Sequence, residues 1–187
     1  CDWSSDVCSS DLTAGFNTVD IAEMHPASRV FMMMLMFVGA SPGSTGGGIK
    51  TTTLALIVCM MISGLKSKDD IVIMKRNIRP KNAYKAIAVI LLGFTLVMSL
   101  TGILTITESA ALEANVFTVE NLMFEAFSAF GTVGLTTGVT PLLTIGGRIA
   151  VMIVMFFGRV GPITISLMFI SKETELIHYP EGSLMIG

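Results

Sequence analysis

Apolar residues run in long blocks along this chain, and the interruptions between blocks are as informative as the blocks. Val30–Val38 is apolar and so is Leu54–Ile62, yet between them lies Gly39-Ala40-Ser41-Pro42-Gly43-Ser44-Thr45-Gly46-Gly47-Gly48-Ile49-Lys50-Thr51-Thr52-Thr53. The pattern predicts a helix over about Ser28–Ala40 and another over Leu54 to about Leu65, broken by the glycine-rich stretch. Ala83–Ile106 is uncharged apart from Lys85 at its edge; as a helix it reaches roughly 35 Å, enough to cross a hydrocarbon core of about 30 Å. Val119–Phe130 is apolar but would reach only roughly 18 Å, too short to cross. Gly131-Thr132-Val133-Gly134-Leu135-Thr136-Thr137-Gly138 follows it, and a last apolar block runs from Ile145 to about Ile170. From Ala83 onward the order is span, half-span, glycine turn, span. That order is the layout of a pore loop: a short helix enters, small polar residues turn the chain back, and a full helix follows.

Composition agrees with a multi-pass membrane protein. The chain has 187 residues, 52% hydrophobic and 14% charged, with mean hydropathy +0.75, whereas a soluble domain carries about a quarter charged residues. The formal net charge of −2 says little; its distribution says more. Seven of the twelve basic residues, Lys66, Lys68, Lys75, Arg76, Arg79, Lys81 and Lys85, fall in one connection, which the positive-inside rule places on the cytoplasmic side. Thr107–Thr118 carries Glu108 and Glu113 and no basic residue, so it is expected outside. No nucleic-acid partner is expected. Three cysteines build no disulfide framework. Asp6-Val7-Cys8-Ser9-Ser10-Asp11-Leu12 is the translation of a common sequencing-adapter end, so residues 1–12 are expected to be an artefact and are set aside. With no initiator Met, the chain is expected to be the tail of a longer protein.

Lipid offers no partners to backbone N–H and C=O groups, so a glycine-rich break at membrane depth is tolerable only inside protein or along a water-filled path. This points to transport. An internal echo points the same way: Thr13-Ala14-Gly15-Phe16-Asn17-Thr18 parallels Thr132-Val133-Gly134-Leu135-Thr136-Thr137, each ahead of a long apolar segment. With the basic connection inside, both threonine–glycine elbows lie toward the outer face. A cation sheds its water there if backbone carbonyls replace it, and glycine permits the backbone angles this needs. Thr13, Ala14, Gly15, Thr132, Val133 and Gly134 are placed to supply those carbonyls. Arg159 lies eleven residues past Arg148, roughly 16 Å along a helix. An arginine at that depth faces a cavity or a partner, or snorkels to the inner face.

These segments together with Gly158-Arg159-Val160-Gly161-Pro162 resemble the Trk/Ktr/HKT family of potassium transporters, and most of all its Ktr-type membrane subunit, over Thr13–Gly187. The resemblance implies an all-α membrane fold of helix–pore-loop–helix repeats, about one and a half of four, with one broken transmembrane helix. Residues 13–65 would be the third repeat's filter and broken second helix, with a gate loop over 39–53. Residues 66–82 would be a cytoplasmic connection, 83–171 the fourth repeat, and 172–187 a cytoplasmic tail. Gly15 and Gly134 match the family's filter glycines. Gly39, Ser41, Gly43, Ser44, Thr45, Gly46, Gly47, Gly48 and Lys50 match the intramembrane gate loop. Arg159 matches its pore-facing arginine, a fixed charge suited to holding that loop and raising a barrier to cations. Also implied are K+ as the transported ion, Na+ as a candidate coupling or activating ion, no cofactor in this chain, and a plasma-membrane homodimer. Cytoplasmic nucleotide-binding (RCK/KTN-type) regulatory subunits are a further implied partner, with the basic connection and the tail as docking candidates; for the basic connection, plain positive-inside anchoring explains the charge equally well.

Other classes fit less well. Gly43 to Gly48 has the glycine spacing of a phosphate-binding loop, but Ile49 intervenes before Lys50, so no nucleotide hydrolysis is expected. No His or acidic residue lies within the spans to serve an intramembrane hydrolase, and no enzyme is expected. A non-conducting membrane scaffold is the alternative; it leaves the half-span, the repeated elbow and Arg159 unexplained. Lys50 either touches the gate or anchors its helix. Glu125, inside the half-span, either stabilises the pore helix, adds negative potential at the outer mouth, or has a solvated or hydrogen-bonded structural role.

Overall fold

The computed structural model describes residues 15, 21–41, 46–65, 72–73, 76–77 and 80–161, and the account below concerns these. In chain order they form α1 (Pro26–Phe37), α2 (Thr51–Leu65), β1 (Val72–Ile73), β2 (Arg76–Asn77), α3 (Pro80–Thr107), α4 (Ser109–Glu113), α5 (Val119–Gly131), a 3-10 turn (Thr140–Leu142) and α6 (Ile145–Val160). The chain is helical as expected, with one addition: β1 and β2 pair antiparallel, Val72 with Asn77 and Ile73 with Arg76, within the basic connection.

The centre of the fold is a helix too short to cross a membrane. The 13 residues of α5 include eight buried ones, and α1, α3 and α6 all pack against it. Leu122, Phe124, Ala126 and Phe130 are completely enclosed. A helix of roughly 20 Å cannot cross a bilayer; its apolar character is explained instead by neighbours on every side. Phe37, the last residue of α1, closes one flank with its ring centroid 5.8 Å from Phe127 and 5.7 Å from Phe130. Gly93 of α3 leaves room for Phe130, whose ring would lie 2.8 Å from a Cβ there.

Among the described residues one helix, Tyr84–Thr107 within α3, is long and apolar enough to span a membrane. Its hydroxyls are satisfied locally: Thr95, Ser99, Thr101 and Thr105 each donate to the carbonyl four residues back, which lets polar side chains sit in an apolar helix. At its far end Glu108 is 2% exposed and accepts from both the N–H and the hydroxyl of Thr144, at 2.9 and 2.6 Å. Thr144 in turn caps α6 by accepting from Gly147 N. A carboxylate thus ties the exit of α3 to the start of α6.

Element bounds differ from expectation at several points. α2 begins at Thr51, ahead of Leu54, and α3 at Pro80, ahead of Ala83. α1 stops at Phe37, before Ala40, because the chain turns into an extended segment that pairs elsewhere. α4 and the 3-10 turn were not expected; both are brief local turns without a long apolar period. α6 ends at Val160 and Gly161 takes φ +88°, where a span to about Ile170 was expected. The next residue in sequence is Pro162, which has no N–H to continue the ladder and whose ring opposes the carbonyl four positions back. The expected tail and the rest of the last block, residues 162–187, lie outside the described residues, as do residues 1–14.

Candidate functional site

Two glycines meet across the top of the bundle. Gly15 has φ +72° and Gly134 has φ +85°, backbone angles that disfavour any side chain. A Cβ on Gly15 would lie 2.6 Å from the Gly134 carbonyl oxygen. Gly15 and Gly134, the glycines matched by the sequence echo, therefore face one another, backbone against backbone. Thr13, Ala14 and the rest of the first elbow lie outside the described residues.

The second elbow is built by the end of α5. Thr132 terminates the helix in a left-handed conformation, φ 52° and ψ 37°, with its N–H returned to the last turn. Val133 N donates to Ser128 O at 3.0 Å, and Ser128 Oγ donates to Leu135 O at 2.6 Å. One turn earlier, Glu125 is 5% exposed. It accepts from the Thr136 hydroxyl, from Thr137 N at 3.3 Å and from the Thr140 hydroxyl at 2.9 Å. Among the roles the sequence left open for Glu125, these contacts show a hydrogen-bonded one. The sequence offered little sign of Ser128, which reads as one small residue in an apolar run.

The glycine-rich connection approaches this elbow from α1. Val38 and Ile49 form a parallel bridge, with Ile49 N donating to Phe37 O at 3.2 Å. Parallel pairing means that the chain leaves the connection heading as it entered, unlike a hairpin, whose arms pair antiparallel. Gly39 permits the two arms to touch: a Cβ there would lie 2.0 Å from Gly47 O. Gly46, Gly47 and Gly48 are buried, Ser41 is exposed, and Pro42, Gly43, Ser44 and Thr45 lie outside the described residues. Lys50 turns back on the connection itself, its Nζ donating to Gly46 O at 2.8 Å.

Connection, half-helix and α6 converge on one node. Gly47 N donates to Thr132 Oγ1 at 2.9 Å, and Gly48 N donates to Gly158 O at 3.3 Å. A Cβ on Gly158 would lie 2.0 Å from Phe130 O, so only glycine lets α6 touch the end of α5 here. Arg159, the next residue, stands exposed in the last turn of α6, where a positive charge complements the helix dipole. Arg148 is at the other end of the same helix and donates to Pro141 O at 2.6 Å. Beside the node is a cavity of about 310 Å³, bounded by Met36, Gly39 and Gly46 on one side and Gly131, Val133 and Leu135 on the other.

A further link was not anticipated from sequence. Arg29, in the first turn of α1, places Nε 3.1 Å from Glu120 Oε1 and donates from Nη2 to Glu120 Oε2 and from Nη1 to Asn121 Oδ1, each at 3.2 Å. Glu120 occupies the first turn of α5, where negative charge is favoured. Residues 91 and 92 positions apart are thereby joined, a distance that sequence periodicity does not report.

Among the described residues no group of three or more His, Cys, Asp and Glu side chains could hold a metal ion. What the described residues offer here is backbone: peptide groups of Gly15, of the elbow that follows α5 and of the two arms of the glycine-rich connection, brought close at Gly39, Gly47 and Gly158.

The chain is similar to known transport proteins. It is 41% identical over 175 residues to Ktr system potassium uptake protein B of Bacillus subtilis, covering 94% of this chain and 38% of that protein. It is 36% identical to Ktr system potassium uptake protein B of Vibrio alginolyticus, covering 94% of this chain and 37% of that protein. It is also 36% identical to the potassium/sodium uptake protein NtpJ of Enterococcus hirae, covering 94% and 39% respectively. The chain therefore spans well under half the length of these relatives, which are transport proteins and not enzymes. The sequence profile of the family described as "TrkH: Cation transport protein" matches residues 7–177. This chain belongs to the TrkH family of cation transport proteins.

Proposed function

We propose that this chain is part of the membrane subunit of a potassium uptake system and carries half of its ion path. Gly15 and Gly134 hold their segments so that carbonyls of residues 13–15 and 132–134 replace water around K+. α3, α5 and α6 form one helix–pore-loop–helix repeat, and the first elbow with α1 and α2 forms part of another. The gate beneath the filter, expected over residues 39–53, is the connection up to Lys50 together with the first turn of α2. Arg159 stands near it as a positive barrier to cations. The remaining part of the ring would come from sequence beyond this chain, in a multi-pass plasma-membrane protein.

The observation that carries the reading is the apposition of Gly15 and Gly134, both at positive φ and within contact across the bundle. A non-conducting scaffold gives no reason for it. The names of the relatives supply the ion: potassium in two, potassium and sodium in the third. Na+ is accordingly a second ion to test for coupling or activation. The word "system" in those names suits a partnered subunit, and a homodimer with cytoplasmic RCK/KTN-type subunits is the assembly we propose.

The test is rescue of cells that lack potassium uptake. The full-length protein should restore growth at low K+. Gly134→Ala should abolish rescue while membrane levels stay normal, since an alanine at φ +85° is strained. No rescue by the wild type, or full rescue by Gly134→Ala, would defeat the proposal.

A further inference from the structure

Glu125 is a buried carboxylate inside an apolar half-helix, and the mechanism proposed above does not use it. Its surroundings are specific. Oε1 accepts from the Thr136 hydroxyl and from Thr137 N, and Oε2 accepts from the Thr140 hydroxyl. The Thr136 oxygen also accepts from Gly138 N and lies beside the Thr140 hydroxyl, each at 3.0 Å. Ser128, one turn on from Glu125, takes the carbonyl of Leu135. One face of α5 thus stitches the whole return segment, Leu135 through Thr140, to the half-helix. Gly134 is the residue immediately before that segment.

We infer that Glu125 is a specificity-determining positioning residue: it sets how tightly the Gly134 elbow discriminates between K+ and Na+, by hydrogen bonding and not by its charge. This rests on the filter reading above. Discrimination between ions of different radius requires carbonyls that do not follow the smaller ion inward. A return segment held at four points resists that collapse. A segment freed from α5 does not. The loss of a buried acceptor for several donors is large enough to matter, because one such bond corresponds to about tenfold in an equilibrium.

The chemistry separates hydrogen bonding from charge. A glutamine keeps one carbonyl oxygen for the Thr136 and Thr137 donors, and its amide faces the Thr140 hydroxyl, which can rotate to accept. Glu125→Gln therefore preserves the stitch and deletes the charge. Glu125→Ala deletes both. Thr136→Val removes one donor and leaves the carboxylate.

The experiment measures K+ and Na+ uptake by the full-length protein in cells lacking other potassium uptake, and reads the ratio of apparent KM values, which does not depend on how much protein reaches the membrane. Glu125→Ala should lower K+ over Na+ discrimination about tenfold and Thr136→Val by about three- to tenfold, while Glu125→Gln stays within about threefold of wild type. An unchanged ratio in Glu125→Ala overturns the inference. If that variant fails to reach the membrane, an unchanged ratio in Thr136→Val overturns it instead. Collapse of the ratio in Glu125→Gln with none in Thr136→Val also overturns it, in favour of a charge effect. A wild-type protein that moves no K+ defeats the filter reading itself, and this inference with it; that outcome is seen before any variant is compared.

Discussion

The hydroxyl of Thr132 accepts the N–H of Gly47 at 2.9 Å, joining the elbow at the end of α5 to the glycine-rich connection. The elbow and the connection are 85 residues apart in sequence. Thr132 is held at φ 52° and Gly47 is buried, so neither segment shifts freely without the other. In the proposed transporter this single bond couples filter and gate.

Thr132→Val keeps the branched shape and removes the acceptor. A net hydrogen bond of about 1 kcal/mol corresponds to roughly fivefold in the gate equilibrium. Maximal K+ uptake by the full-length variant should rise by that factor, with apparent KM for K+ little changed. A lowered or unchanged maximal rate counts against coupling through this bond.

Gly158→Ala should be strongly destabilising. The added Cβ would lie 2.0 Å from Phe130 O, a backbone atom that cannot step aside alone. Overpacking of this kind costs about 1–3 kcal/mol. Gly102→Ala is the control: it sits within α3 with nothing within 4 Å of its Cβ, and helix propensity favours alanine by about 1 kcal/mol. Thermal unfolding of the purified full-length protein should show Tm lowered by the first and held or raised by the second.

Arg29 and Glu120 should couple across the bundle. Their side chains are 13% and 32% exposed, so the pair is partly screened and worth about 1 kcal/mol, more than a fully exposed pair and less than a buried one. A double-mutant cycle with Arg29→Ala and Glu120→Ala, read by denaturant or thermal unfolding, should return a coupling of that size. Additive single effects would show that the pair contributes geometry alone.

Arg159→Ala in the full-length protein should change the K+ uptake rate, because the residue follows Gly158, whose carbonyl receives Gly48 N. If Arg159 is the barrier we propose, removing its fixed positive charge lowers the electrostatic cost that a cation meets. Uptake equal to that of the wild type would exclude a barrier role.

Much of this architecture was legible from residue pattern. Apolar block length separates α3, long enough to span, from α5, which is not, because rise per residue is constant in a helix. The break between α1 and α2 followed from glycine and proline, which remove helical preference locally wherever they occur. Both elbows could be matched by their order of threonine and glycine. Pattern failed where a boundary depends on a distant partner: α1 stops at Phe37 because Val38 pairs with Ile49, and β1 and β2 lie in a stretch that reads simply as charged.

The sequence by itself determined which residues lack side chains, which blocks are apolar and where charge is concentrated; these are local properties, carried by each residue wherever the chain goes. Only the tertiary structure decided that Gly15 faces Gly134, that Gly47 reaches Thr132, that Arg29 clasps Glu120 and that Glu125 holds the return segment. Each of these is a short-range contact, effective over a few ångströms, between residues whose separation along the chain says nothing of their separation in space. Packing around α5 brings them together, and glycine at the crossing points lets the backbones come close enough to bond.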